Sequence, residues 1–192
     1  MAKKSFRNFL IGFDQSAKKL SITLVSDSLQ DINATLQLRL IDFEGNLVNE
    51  MSQPVKVSAN GLTKLSSLPL KKLLKKKTKA SEVVMEARLL TGDQMLAENL
   101  HYFAPFKSLD LPSPDLNYAV AEEENSFTVT LQSKRMAKDV YLATGTSQNF
   151  SDNYFDLLPG TSKTVTVDKG DFADMASFQK ALKVMSLRDT YE

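Results

Sequence analysis

The stretch that decides the fold runs Asn149-Phe150-Ser151-Asp152-Asn153-Tyr154-Phe155-Asp156-Leu157-Leu158-Pro159-Gly160 and continues Thr161-Ser162-Lys163-Thr164-Val165-Thr166-Val167. Ser151, Asp152 and Asn153 carry short polar side chains that bond nearby backbone, which predicts a tight turn. Tyr154, Phe155, Leu157 and Leu158 follow as bulky groups whose burial is favourable, and they read as an anchor set into a core. Pro159-Gly160 is a second turn. Beyond it Val165 and Val167 alternate with Thr164 and Thr166, the period of two that turns one face of a strand inward.

The same period recurs on both sides. Upstream, Leu116, Tyr118 and Val120 alternate, Glu122-Glu123-Glu124-Asn125 make an acidic turn, and Phe127, Val129 and Leu131 alternate with Thr128 and Thr130. A strand is expected over 140–144. Downstream, Phe172, Met175, Phe178 and Leu182 stand near helical spacing, which predicts a short helix over 172–180, and 182–187 reads as a closing strand. Earlier still, Leu20, Ile22 and Leu24 alternate, and Leu36, Leu38 and Leu40 do so before Glu44-Gly45-Asn46 turns the chain back into Leu47-Val48. Further strands are expected at 55–57, 83–89 and 95–103, with one helical turn at Leu70, Leu73 and Leu74. About seven strands in the first hundred residues is the count of an immunoglobulin-like sandwich. Pro105, Pro112 and Pro114 then interrupt any helix or central strand, so the chain is expected to be all-β, with domains at 1–106 and 107–192 joined by a short, stiff spacer.

Residues 150–160 closely resemble a signature near the C-terminus of family 2 glycoside hydrolases of the β-mannosidase type. The resemblance extends to Tyr102-Phe103-Ala104-Pro105-Phe106-Lys107, to Leu109-Asp110-Leu111-Pro112 and to the closing stretch from Leu182 to Tyr191. The first half resembles the preceding immunoglobulin-like domain of those enzymes, through its strand pattern and Leu40-Ile41-Asp42-Phe43-Glu44-Gly45-Asn46. The resemblance implies two consecutive immunoglobulin-like β-sandwiches, a non-catalytic C-terminal accessory region. Its partners would be the catalytic barrel and N-terminal domains of the same parent chain, which would hydrolyse terminal β-D-mannose from oligosaccharides.

Composition narrows the classes. A net charge of +1 over 192 residues exerts no general pull toward nucleic acid. No apolar run is long enough to span a membrane, and Met1-Ala2-Lys3-Lys4 is not followed by a signal-type apolar region. For a longer parent such a signal would lie upstream, and a periplasmic or extracellular location is favoured. The absence of Cys excludes disulfides and thiolate metal sites, and suits a bacterial protein.

No catalytic, cofactor or metal residue emerges. Retaining glycoside hydrolysis needs two carboxylates about 5–5.5 Å apart, and Asp152 and Asp156 are the tempting pair. In the family resembled, though, the catalytic glutamates sit on the barrel, and no position here matches them. Asp152 and Asp156 are therefore expected to bond backbone. His101, the single histidine, lies beside Tyr102 and Phe103 in an apolar strand and reads as packed. Asp168, Asp171 and Asp174 lack the spacing of a calcium loop. The six lysines from Lys71 to Lys79 have no interleaved aromatic or Arg, so they read as a solvated loop. Asn33-Ala34-Thr35 and Asn149-Phe150-Ser151 match the glycosylation sequon, a pattern short enough to arise by chance. Two rival functions stay open: a carbohydrate-binding module, with Tyr118, Tyr141 and Tyr154 as platforms for an oligosaccharide contact, and a free-standing immunoglobulin-like interaction protein.

Overall fold

The computed structural model describes residues 8–75, 78–145, 148–170 and 172–191. The chain divides into two compact units, Met1–Asp42 with Asn46–Asp110, and Phe43–Gly45 with Leu111–Glu192.

The first unit is built from β1 (Phe9–Gln15), β2 (Lys19–Ser26), β3 (Ile32–Asp42), β4 (Leu47–Val57), β5 (Gly61–Pro69), β6 (Val83–Thr91) and β7 (Gln94–Tyr102), with one helical turn, α1 (Leu70–Leu73). The strands pair antiparallel in two sheets, β1-β2-β5 and β4-β3-β6-β7. Alternation does what the sequence implies: Leu20, Ile22 and Leu24 of β2 meet Leu36, Leu38 and Leu40 of β3 and Met85, Ala87 and Leu89 of β6 in one apolar core. Side chains bridge the sheets at their margins, where the Asn99 amide donates to the Ile11 carbonyl at 2.8 Å and the Gln53 amide to that of Leu65 at 2.9 Å. Glu86 is only 1% exposed on β6. It faces away from that core, held by Arg39 Nη1 at 3.1 Å and Arg88 Nη2 at 2.6 Å, the pairing a buried carboxylate requires.

Two elements differ from the sequence expectation. β1 was not anticipated, because Phe9-Leu10-Ile11-Gly12-Phe13 is apolar on both faces and shows no alternation; pairing with β2 buries Ile11 and leaves Leu10 outside. The separate strand expected at 55–57 is the end of β4, which runs through Pro54. Proline lacks an N–H, and β4 lies at a sheet edge with β3 as its one neighbour, the setting in which a strand tolerates proline.

The second unit contains β8 (Asn117–Glu122), β9 (Ser126–Gln132), β10 (Ala137–Ala143), β11 (Phe155–Leu157), β12 (Ser162–Asp168), the helix α2 (Met175–Ala181) and β13 (Lys183–Met185). Its sheets are β12-β9-β8 and β11-β10-β13. Phe127, Val129 and Leu131 face Val140, Leu142, Phe155 and Leu157 across the core, with Phe178 of α2 in the same cluster. Asp174 caps α2: its carboxylate accepts from the Ser177 N–H at 2.8 Å, while the Ser177 hydroxyl faces the Asp174 N–H at 3.4 Å. The closing strand is shorter than expected. Ser186 donates its N–H and hydroxyl to the Asp189 carboxylate at 2.7 and 2.9 Å, which curls 187–190 into a 3₁₀ turn.

Candidate functional site

The signature stretch folds as a corner between the two sheets of the second unit, and the side chains of Ser151, Asp152, Asn153 and Asp156 each serve backbone or a neighbouring charge. The Ser151 N–H donates to the Thr166 carbonyl at 2.7 Å, and the Ser151 hydroxyl oxygen accepts from the Thr166 N–H at 2.9 Å, tying the corner to β12. Asp152 accepts from the Asn153 N–H at 3.0 Å and pairs with Lys163 at 2.7 Å. Asn153 reaches the other way: its side-chain amide accepts from the Leu142 N–H and donates to the Leu142 carbonyl, both at 2.8 Å. It thus completes the β10 ladder as a strand residue would.

Asp156 continues the pattern. Its carboxylate accepts from the Asp139 N–H at 2.9 Å and lies 3.3 Å from the ammonium of Lys138, a lysine only 4% exposed. The β10–β11 register shifts between Ala137 and Val140, and Asp139 has φ of 48°, so this carboxylate stabilises a bulge. Past Pro159, Gly160 takes φ of 73° and donates its N–H to the Ser133 carbonyl at 2.8 Å. Asp152 and Asp156 are therefore positioned as structural acceptors.

Phe155, Leu157 and Leu158 are buried as the sequence predicts, but Tyr154 is not: it is 57% exposed, with φ of 56°. Asn153, the residue before it, is pinned to β10, and the chain turns Tyr154 outward onto Tyr141, ring centroids 4.8 Å apart and planes 28° apart. Periodicity could not reveal this, because the turn resets the alternation. Tyr118 is exposed on β8.

His101 sits on β7 between Phe13 and Phe103, ring centroids 5.2 and 5.0 Å away. The Gln15 amide nitrogen points at the Phe103 carbonyl at 3.3 Å, so its oxygen faces His101 Nε2 at 2.6 Å and the neutral ring carries its proton there. Burial holds the imidazole pKa below its usual value of 6.5. A lowered folded-state value means that the part of the first unit's stability linked to His101 is fully present above pH 6.5. It is lost as pH falls from there through the folded value, because the unfolded chain takes the proton first. Urea unfolding at pH 7.5 and 5.5 is expected to show a smaller first-unit stability at the lower pH, and His101→Gln to flatten that dependence. An unchanged slope in the variant would remove His101 as its cause.

The remaining candidates disperse. Asp174 is the α2 cap, Asp168 ends β12 and Asp171 lies outside the described residues; among the described residues no group of three or more His, Cys, Asp or Glu could hold a metal. Lys71 and Lys72 are exposed on α1, Lys79 pairs with Glu82, and Lys76 and Lys77 lie outside the described residues. A hollow of about 260 Å³ is lined by Asn117, Gln132, Ser133, Lys134, Gly160, Thr161 and Ser162, and so contains no carboxylate. No described helix is long and apolar enough to cross a membrane.

Two antiparallel sandwiches, one of them closed by a corner whose polar groups serve its own backbone, define a tandem of immunoglobulin-like modules. Residues 18–108 match the family model of the Mannosidase Ig/CBM-like domain, and residues 111–190 match that of the mannosidase Ig-fold domain. A beta-mannosidase B of Aspergillus fumigatus is 26% identical over 153 residues, covering 78% of this chain and 18% of the relative; one from Aspergillus oryzae matches to the same extent. The crystal structure of a β-D-mannosidase from Dictyoglomus thermophilum superposes on 96% of this chain and 22% of that one, with a TM-score of 0.75 and 21% identity. An exo-chitosanase from Amycolatopsis orientalis gives a TM-score of 0.63 at 13% identity, over 96% of this chain and 26% of that one. The chain belongs to the mannosidase immunoglobulin-like domain family, in the pairing that forms the C-terminal immunoglobulin-like domains of β-mannosidases. It spans about a fifth of the length of the curated relatives it matches. Those relatives are fungal, so the bacterial origin suggested by the lack of cysteine is not carried forward.

Proposed function

We propose that this chain is the non-catalytic accessory region of a glycoside hydrolase that releases terminal β-D-mannose from oligosaccharides, and that it packs against and supports the catalytic barrel and N-terminal domains of its parent. On this reading residues 1–106 and 107–192 are its two domains, and it contributes no catalytic, cofactor or metal residue. The observation that carries the proposal is the signature corner. Asp152 and Asp156, the acids that a sequence search would nominate for sugar chemistry, are engaged by Asn153, Lys163, Lys138 and the Asp139 backbone. The family match of both halves supplies the choice of sugar.

The test uses an aryl β-mannoside. The 192-residue chain is expected to hydrolyse it no faster than background, while the native gene product, detected with an antibody against this chain, is expected to be several times heavier than 21.4 kDa and active. Hydrolysis by the chain alone would overturn the accessory reading. A native product near 21.4 kDa would replace it with a free-standing two-sandwich protein.

A further inference from the structure

Four described non-glycine residues have positive φ: Asn60, Asp115, Asp139 and Tyr154. Asn and Asp enter this region readily because their short side chains bond locally, whereas a tyrosine there costs about 1–2 kcal/mol. The surroundings impose that conformation on Tyr154, since Asn153 is locked to both polar groups of Leu142 and Phe155 is buried on the other side. A residue needed only to complete the turn would be Gly or Asn, and one needed only for packing would be buried. Tyr154 is neither.

What the conformation achieves is an outward ring backed by a second ring. One face of Tyr154 lies on Tyr141, so its exposed area is the opposite face and edge. Tyr141 is on the outward side of β10, in register with Met185 of β13, which is 38% exposed. Two residues along the same side, Ala143 pairs with Lys183. The register thus sets an apolar side chain, Met185, across from Tyr141 and a cationic one, Lys183, across from Ala143 on the strand beside the rings.

We infer that Tyr154, backed by Tyr141, is a stacking platform for one pyranose ring of a neutral oligosaccharide. A pyranose presents a face of C–H bonds, apolar and slightly positive, to the negative face of an aromatic ring, while its hydroxyls stay in water or meet Lys183 and the tyrosine hydroxyls. Two stacked rings held by a fixed backbone lose little freedom on binding, which is how a small site gains affinity. The choice of a mannose oligomer as first probe rests on the proposed function; the platform itself does not.

Aromatic NMR signals of the 192-residue chain are to be followed during titration with β-1,4-linked mannotetraose, cellotetraose and chitotetraose. At least one probe is expected to give saturable shifts centred on Tyr141 and Tyr154. Tyr154→Gly removes the ring yet accepts the positive φ, so it folds while weakening binding by about tenfold, the worth of one stacked ring; Tyr154→Phe keeps affinity within about twofold. No saturable shift with any probe at about 10 mM overturns the platform, as does equal affinity in Tyr154→Gly. If cellotetraose or chitotetraose binds and mannotetraose does not, the platform stands and the mannoside specificity of the proposed function fails. If nothing binds while the native enzyme cleaves an aryl β-mannoside, the platform fails and the accessory reading stands.

Discussion

Phe178→Ala is expected to destabilise the second unit by about 3–5 kcal/mol, a large part of the roughly 5–15 kcal/mol that holds a typical domain folded. Phe178 is fully buried, stacks on Phe127 with centroids 4.5 Å apart and planes 12° apart, and receives the edge of Phe172 at 5.4 Å. Removing the ring empties the space between α2 and β9 and strands two other aromatic rings. The helix is too short to persist on its capping box alone. Urea titration followed residue by residue should move the midpoints of the second unit down with little change in slope. A loss below about 1 kcal/mol would mean that Phe127 and Phe172 close over the gap, and that the stack is not what seats the helix.

The second large effect is expected at Asn153. Asn153→Ala removes the donor and the acceptor that saturate Leu142, leaving a strand N–H and carbonyl without their partner, for a loss of about 2–4 kcal/mol. The readout specific to this role is hydrogen exchange at the Leu142 amide, which should accelerate far more than that of Val129 on the opposing sheet. Exchange at Leu142 that stays slow in the variant would sink the claim that Asn153 completes the β10 ladder. Asn153→Asp tests the donor separately, because a carboxylate still accepts from the Leu142 N–H but is repelled by the Leu142 carbonyl.

Strand existence was legible wherever one face is wet. Phe127, Val129 and Leu131 against Thr128 and Thr130, or Leu36, Leu38 and Leu40 against Gln37 and Arg39, leave a single choice of inward face, and the observed pairing uses it. β1 escaped because its residues are apolar on both sides, so no periodic contrast exists for reading. The 3₁₀ turn at 187–190 escaped for another reason: Ser186 and Asp189 compete locally for the backbone that a strand would have used. Asp152 and Asp156 were legible as backbone acceptors from residue type, but which backbone they serve was not. Lys163 and the Asp139 N–H come from other strands.

By itself, the sequence determined an all-β chain of two immunoglobulin-like sandwiches, with the stretch at 150–160 as a corner. Alternation and turn residues are local properties, read within a few positions along the chain. Only the tertiary structure decided what the corner does. That Asn153 mimics a strand residue for Leu142, that Lys138 is buried against Asp156, and that Tyr154 turns out of the core onto Tyr141 all depend on β10, which lies more than ten residues away. Sequence spacing holds no record of such contacts, because the bulge at Lys138-Asp139 and the positive φ of Tyr154 each break the period from which side-chain direction is inferred.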